Sequence, residues 1–383
     1  MHQPGLIGPG NFGETSLFAG GGGTVDSVRI CVIGAGRAGM VHAFNFRHRI
    51  AEAQLVAIVD ADQATSSSLE AMARRRADES GASLVPRGLV FDGIEAALAG
   101  ADFDAVCIAT PTFTHASIAV AAARAGKHIL CEKPMALTLD EADAMIAAAR
   151  QADVVLQIAF MRRFDPAFRA AREQIEAGAI GDPIMVRTLT RGPGLPPRWA
   201  CDPATSIGML AEVNSHDFDT VRWLAGSELS RVYAEAATLK APQLEEEFPG
   251  FYDTVVVNVR LASGALAVID GCCPVGYGYD ARAEVLGSTG VLFIGELRER
   301  ALVRCTREEG VVTKQFTAWA RRFEAAYLAE DEHFVNCIRA GELPEVTGED
   351  GKRALEGVLA ATRSIRTGAP VALPLTEGAR DAA

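Results

Sequence analysis

The sequence predicts an α/β chain: a doubly wound parallel sheet followed by an α+β domain with a large, mostly antiparallel open sheet. Three observations carry that expectation. Short apolar runs at Val28–Ile33, Gln54–Asp60, Ala105–Ala109 and His128–Cys131 are separated by Ala-rich helical stretches, the pattern of βαβ units buried on both faces. Beyond Arg162 the segments become longer, Val-rich and alternating, as a half-covered sheet requires. A length of 383 residues also exceeds what one core organises.

Taken in order, residues 1–27 are Gly-rich and aperiodic and read as a disordered tail. They carry no basic stretch followed by an apolar one, so no secretory signal is expected, and Val25 is a candidate natural start. Residues 28–161 form the expected first domain. Its first strand is followed by a helical pattern through Ile50. Thr138, with Glu141 three residues on, is a capping box that opens a helix to Ala152, and Val154–Met161 closes the sheet. Residues 162–383 form the expected second domain. Its strands are expected at Ile184–Thr190, Arg231–Leu239, Thr254–Leu261, Ala265–Cys272 and Ala281–Leu286, with helices at Phe323–Arg339 and Gly351–Thr367. There are no internal repeats.

Composition excludes several functions. Lys and Arg total 37 against 49 Asp and Glu, a net charge of −12, which would repel nucleic acid or an anionic membrane. No apolar stretch is long enough to span a bilayer. The eight cysteines form no Cys-x-x-Cys pair and read as reduced, buried thiols of a cytoplasmic protein. The seven histidines lack metal-ligand spacing, and no metal is expected.

Gly34-Ala35-Gly36-Arg37-Ala38-Gly39 fits the dinucleotide fingerprint in its proper setting, after a strand and opening a helix. Gly34 serves the tight turn, Gly36 close approach of a pyrophosphate, and Gly39 helix–strand packing. The helix N-terminus supplies unpaired N–H groups to the phosphate charge. Asp60, at the end of the next strand, is placed to bind a ribose. Asp62 follows it with no Arg to meet a 2′-phosphate, so NAD is expected over NADP. The first domain is thus expected to be a Rossmann domain.

Lys133, in Cys131-Glu132-Lys133-Pro134 at the end of the fifth strand, lies where open α/β sheets bind ligands. Glu212 and His216 would share a helical face at i,i+4, as would Ser215 and Asp219. A histidine oriented by a carboxylate is a common general acid/base pair.

The Glu132-Lys133-Pro134 run resembles the signature of the Gfo/Idh/MocA oxidoreductases, and the chain from Val28 onward is most similar to their inositol 2-dehydrogenase branch. Gln157–Asp165, Tyr277-Gly278-Tyr279-Asp280 with Glu284, and Trp319-Ala320-Arg321-Arg322-Phe323 resemble further motifs of that branch, in its order. The resemblance implies Lys133 as the active-site lysine, His216 as the proton-transferring histidine and Glu212 as the carboxylate that orients the histidine or the lysine. It implies cofactor contacts from Gly34, Gly36, Arg37, Ala38, Gly39, Asp60, Thr110, Glu132 and Lys133. Substrate contacts would come from Arg162, Arg191, Asp219, Tyr279 and Trp319.

Two departures stand out. Glu212 occupies a position where the family usually has Asp, and Thr190-Arg191-Gly192-Pro193 replaces larger polar side chains, with Pro193–Trp199 as a pocket wall. The expected function is NAD-dependent oxidation of a secondary hydroxyl on a cyclic polyol or sugar. Alternatives are a sugar or glycoside 3-dehydrogenase, or a redox-neutral glycosidase or lyase that recycles its NAD. The open sheet face is expected to be covered in a homodimer or homotetramer.

Overall fold

The structure, a computed structural model, describes residues 27–61, 90–202 and 205–376. All of the expected tail except Ser27 lies outside the described residues.

The first sheet is built from β1 (Val28–Ile33), β2 (Ala53–Val59), β3 (Val90–Phe91), β4 (Ala105–Ile108), β5 (His128–Glu132) and β6 (Leu156–Ala159). Their order is β3-β2-β1-β4-β5-β6 and every pairing is parallel. Helices α1 (Arg37–His48), α2 (Ile94–Gly100), α3 (His115–Arg124) and α4 (Leu139–Ala152) make the crossovers among the described residues. The strands read as unbroken apolar runs because both faces are covered, and Val106, Cys107, Ile108 and Leu130 have no exposure at all. The Thr138–Glu141 capping box opens α4 as the sequence predicts. A parallel sheet collects the carboxyl ends of its strands on one edge. Gly34, Asp60, Ala109, Lys133 and Phe160 therefore follow their strands at a common rim.

Beyond that rim, α5 (Pro166–Glu176) begins where the Asp165 side chain accepts from the N–H groups of Ala167 and Phe168, with Pro166 in the first turn. The sequence reading missed this helix. Next come β7 (Pro183–Arg191), α6 (Arg198–Cys201), α7 (Met209–Glu212), α8 (Ser215–Ala225), β8 (Leu229–Ala237) and α9 (Pro242–Glu247). The chain continues through β9 (Thr254–Leu261), β10 (Leu266–Cys272), β11 (Asp280–Gly287), β12 (Val291–Ile294) and the hairpin β13 (Arg298–Thr306) to β14 (Gly310–Gln315). It ends with α10 (Trp319–Arg322), α11 (Glu324–Ala340), α12 (Gly348–Thr367) and β15 (Val371–Ala372).

The second sheet has seven strands in the order β12-β11-β7-β10-β9-β8-β15. Only β7 and β10 run parallel; the other pairings are antiparallel. Along β9, Val255, Val257, Val259 and Leu261 are buried while Val256, Asn258 and Arg260 are exposed. One face packs under α8 and α12 and the other lies open. Unforeseen elements were β12, β15 and the β13–β14 hairpin, whose β13 strand is exposed at nearly every position and so shows no alternation.

The last third of the chain crosses back. Phe334 and Val335 of α11 are wholly buried with Val28, Ile30 and Phe46 in the core of the first sheet. Each such side chain contributes about 1.5–3 kcal/mol of burial. None of the eight cysteines is in a disulfide; Cys305 is exposed and Cys272 half-buried, against the expectation that all would be buried. No described helix is long and apolar enough to cross a membrane.

Candidate active site

The glycine loop divides its labour as the residue types suggest. Gly34 sits at φ +94°, and a Cβ there would lie 2.6 Å from the Ala109 carbonyl. A Cβ on Gly39 would stand 1.8 Å from the Gly34 carbonyl oxygen, so helix and turn meet at backbone contact. Gly36 has nothing within 4 Å of that direction, which leaves the helix mouth open. Gly36 is also the N-cap of α1 and provides no side-chain cap. The first-turn N–H groups, with Arg37 exposed and Ala38 half-buried beside them, face outward for an anion. Asp60 Oδ2 accepts from the Ala35 N–H at 2.8 Å and braces the loop. These residues fit a dinucleotide's pyrophosphate.

Beside this loop, Thr110 Oγ1 accepts from Thr114 at 2.7 Å. His115 ties two loops together, its ring nitrogens 2.8 and 2.9 Å from the carbonyl oxygens of Thr110 and Pro134. Lys133 is thereby held next to the cofactor rim, and its Nζ donates to the backbone oxygen of Glu212 at 2.7 Å. That bond joins the end of β5 to the segment carrying Glu212 and His216.

Glu212 and His216 do not share one helix. Glu212 ends α7, His216 lies in α8, and Asn214 caps the break between them. Nor does the Glu212 carboxylate orient the histidine. Its Oε1 accepts from Thr112 Oγ1 at 2.9 Å and from Ser206 Oγ at 3.0 Å. Burial pushes the Glu212 pKa up, with Lys133 offsetting part of the shift. His216 packs edge-on to Phe160, ring centroids 5.7 Å apart, and its buried Nδ1 has no hydrogen-bond partner among the described residues. Burial first, then the cations Lys133 and Arg162, hold its pKa well below the ordinary value. The ring is neutral near pH 7 and can accept a proton.

The substrate-side residues are dispersed. Arg162 is wholly buried, paired with Asp217 at 2.7 Å and bonded to Thr188 and Thr190. Tyr279 joins this network through Arg162 and is buried edge-on against Phe323. Both Asp219 carboxylate oxygens accept from Arg163, at 2.9 and 2.6 Å, and Arg222 and the half-buried Asp350 complete that cluster. Arg191 pairs with Asp270 at 2.7 Å. Because Thr190 points to α8, Arg191 points to the opposite, open face, away from His216. Trp319 leans on Tyr327 at 5.3 Å. Thr112 and Ser206, which touch Glu212, carry no signal in the sequence, and Phe160, which touches His216, stands in the Gln157–Asp165 motif without a role read from it.

Residues 28–160 match the Gfo/Idh/MocA oxidoreductase family's NAD-binding Rossmann fold, and residues 172–373 match its C-terminal alpha/beta domain. The chain is 36% identical over 338 residues to a myo-inositol 2-dehydrogenase of Thermotoga maritima, covering 88% of this chain and 96% of the relative. It is 36% identical over 346 residues to a scyllo-inositol 2-dehydrogenase (NAD(+)) of Bacillus subtilis, covering 90% and 96%. A solved scyllo-inositol dehydrogenase from Lactobacillus casei, with bound cofactor NAD(H) and scyllo-inositol, superposes at a TM-score of 0.80 and 26% identity, covering 90% and 99%. The fingerprint geometry and both domain matches agree: the chain belongs to the Gfo/Idh/MocA oxidoreductase family, with NAD as its cofactor.

Proposed function

We propose that the chain is an inositol 2-dehydrogenase-like enzyme, oxidising a secondary ring hydroxyl of a cyclic polyol. The observation that supports this most is the meeting of Lys133 with the Glu212–His216 segment, a cation beside a neutral imidazole at the cofactor rim. Bound NAD supplies the hydride acceptor. Gly36, Arg37 and Ala38 would hold the pyrophosphate on the turn and packing that Gly34 and Gly39 provide, Asp60 would hold the ribose, and Thr110, Glu132 and Lys133 would border the nicotinamide. His216 accepts the hydroxyl proton, and the Lys133 ammonium stabilises the oxygen charge that develops as the carbon loses hydride. Glu212 works by fixing the segment between Thr112 and Ser206 rather than by touching the imidazole. Arg162 and Tyr279 support the substrate side through Asp217, and Trp319, packed on Tyr327, is a further substrate-side residue.

The enzyme would act in the cytoplasm as a homodimer or homotetramer. The open sheet face supports that assembly, since Val256, Leu266 and Phe293 stand 44%, 46% and 76% exposed. The experiment is to follow NADH formation by the purified chain with NAD and myo-inositol, scyllo-inositol, free sugars or aryl glycosides. NADH with an inositol is the expected result. NADH only with sugars or glycosides would replace inositol by a sugar substrate, and no NADH with any of them would overturn the dehydrogenase reading.

A further inference from the structure

Behind the end of β5 lies a second cluster of buried charge, outside the groups that meet substrate. His42 of α1 places Nδ1 2.6 Å from Asp331 Oδ1 of α11 and Nε2 3.3 Å from Glu132 Oε1. Asn45, one turn along α1, donates to Asp331 Oδ2 at 2.8 Å. The second oxygen of Glu132 accepts the Lys133 N–H at 3.1 Å. Both ring nitrogens therefore face carboxylate oxygens, which when ionised can only accept, so each nitrogen carries a proton and His42 is an imidazolium. Burial opposes that charge, but Asp331 and Glu132 outweigh it and hold the ring's pKa well above the ordinary value. For Glu132, burial pushes upward and the His42 bond more than reverses it.

For the other titratable groups around the ring, burial favours the uncharged form. Burial pushes the Glu330 carboxyl, the Tyr327 phenol and the Cys107 thiol well up, and Tyr327 meets His42 edge-on at 5.4 Å. One cation thus stands between two carboxylates, with the Lys133 ammonium beyond Glu132.

We propose that His42 and Asp331 are positioning residues that clamp Glu132, and through it Lys133, to the cofactor-binding helix α1. The proposal rests on Lys133 meeting the reacting hydroxyl. It gives α11, from the far end of the sequence, a part in fixing the catalytic lysine. A clamp of this kind acts on turnover more than on cofactor affinity, because it ends on Lys133 and its side chains make no hydrogen bond to the Gly34–Gly39 loop.

Charge counting orders the variants. His42→Gln keeps volume and a donor but leaves two buried carboxylates with no cation between them, the costly arrangement. Asp331→Asn keeps an acceptor and leaves His42 matched to Glu132, and the double variant removes one charge of each sign. With NAD and myo-inositol, kcat should fall roughly tenfold or more in His42→Gln. It should fall less than about threefold in Asp331→Asn and by an intermediate factor in the double variant. The Kd for NAD should stay within about threefold of the parent in all three. A parental kcat in His42→Gln, or a loss confined to NAD affinity, overturns the clamp. A 15N resonance of His42 at about pH 8 supplies a test free of turnover. Two protonated nitrogens are expected, and a neutral ring overturns the proposal even if His42→Gln fails to fold. An absence of polyol oxidation by the parent protein would strike the proposed function instead, leaving this resonance still to decide the charge.

Discussion

The cofactor loop and the catalytic cluster are built in opposite ways. Gly34 to Asp60 is one stretch of chain whose members meet because a strand, a turn and a helix follow one another. The catalytic cluster draws Thr112 and Lys133 from the first sheet's rim and Ser206, Glu212 and His216 from the segment above the second sheet. The first is local geometry and tolerates little change in backbone. The second is long-range geometry and depends on which side chain reaches which. The comparison teaches that cofactor binding and turnover should fail separately when each region is cut.

The largest separation should come from His216→Ala. Removing a general base typically costs 10²–10⁴-fold, about 3–5 kcal/mol, in kcat. NAD binding, measured by quenching of protein fluorescence, should be retained, since His216 touches no glycine-loop residue. Turnover near that of the parent protein would remove His216 from the mechanism.

On the cofactor side, Gly39→Ala and Gly36→Ala should differ from each other. The Gly39 Cβ would stand 1.8 Å from backbone oxygen, so the helix must shift, at roughly 1–3 kcal/mol of stability. Gly36→Ala meets no atom of the described residues within 4 Å and should leave thermal stability near that of the parent. Its cost should appear in NAD affinity alone. Equal melting temperatures for the two variants would contradict the packing role assigned to Gly39.

Proton linkage sharpens the same contrast. His216 has its folded pKa far below its unfolded value of about 6.5, so under mild acid the unfolded chain binds a proton the folded chain does not. Its contribution to stability is therefore lost as pH falls below about 6.5, at about 1.4 kcal/mol per pH unit until the folded value is reached. His216→Gln removes this term. The stability difference between parent and variant, from urea unfolding across that window, should shrink with the expected slope on acidification. A constant difference would show that the ring is not held neutral by its surroundings.

How much was legible follows the same division. β1, β5 and β9 came out within a residue of their predicted ends, because burial on both faces or strict alternation is written in the residues themselves. The glycine roles were legible for the same reason. The i,i+4 pairing of Glu212 with His216 was not, because Asn214 interrupts the helix and its pattern gives no sign of that break. For Arg191 and Asp219 the family resemblance implies substrate contacts. Their partners, Asp270 and Arg163, lie far along the chain and take them into structural ion pairs. His42 and Asp331 were invisible for the same reason, being separated by most of the sequence and joined only by packing of α11 on α1.

The finest test concerns the extra methylene of Glu212. The longer side chain brings its carboxylate to Thr112 on one side and Ser206 on the other, linking the cofactor rim to the segment that precedes α7. Ser206→Ala deletes one donor and leaves the other, so the loss should be that of a single hydrogen bond, about 0.5–1.5 kcal/mol. If the link positions the segment for turnover, that cost should appear as a several-fold fall in kcat, with Thr112→Val giving a similar fall. Because each variant breaks the same bridge, the double variant should lose less than the product of the two. Glu212→Asp is the complementary change: the shorter arm cannot span both hydroxyls and should resemble the double variant. Strict multiplicativity of Ser206→Ala and Thr112→Val would mean the two hydroxyls contribute independently rather than as one bridge through Glu212.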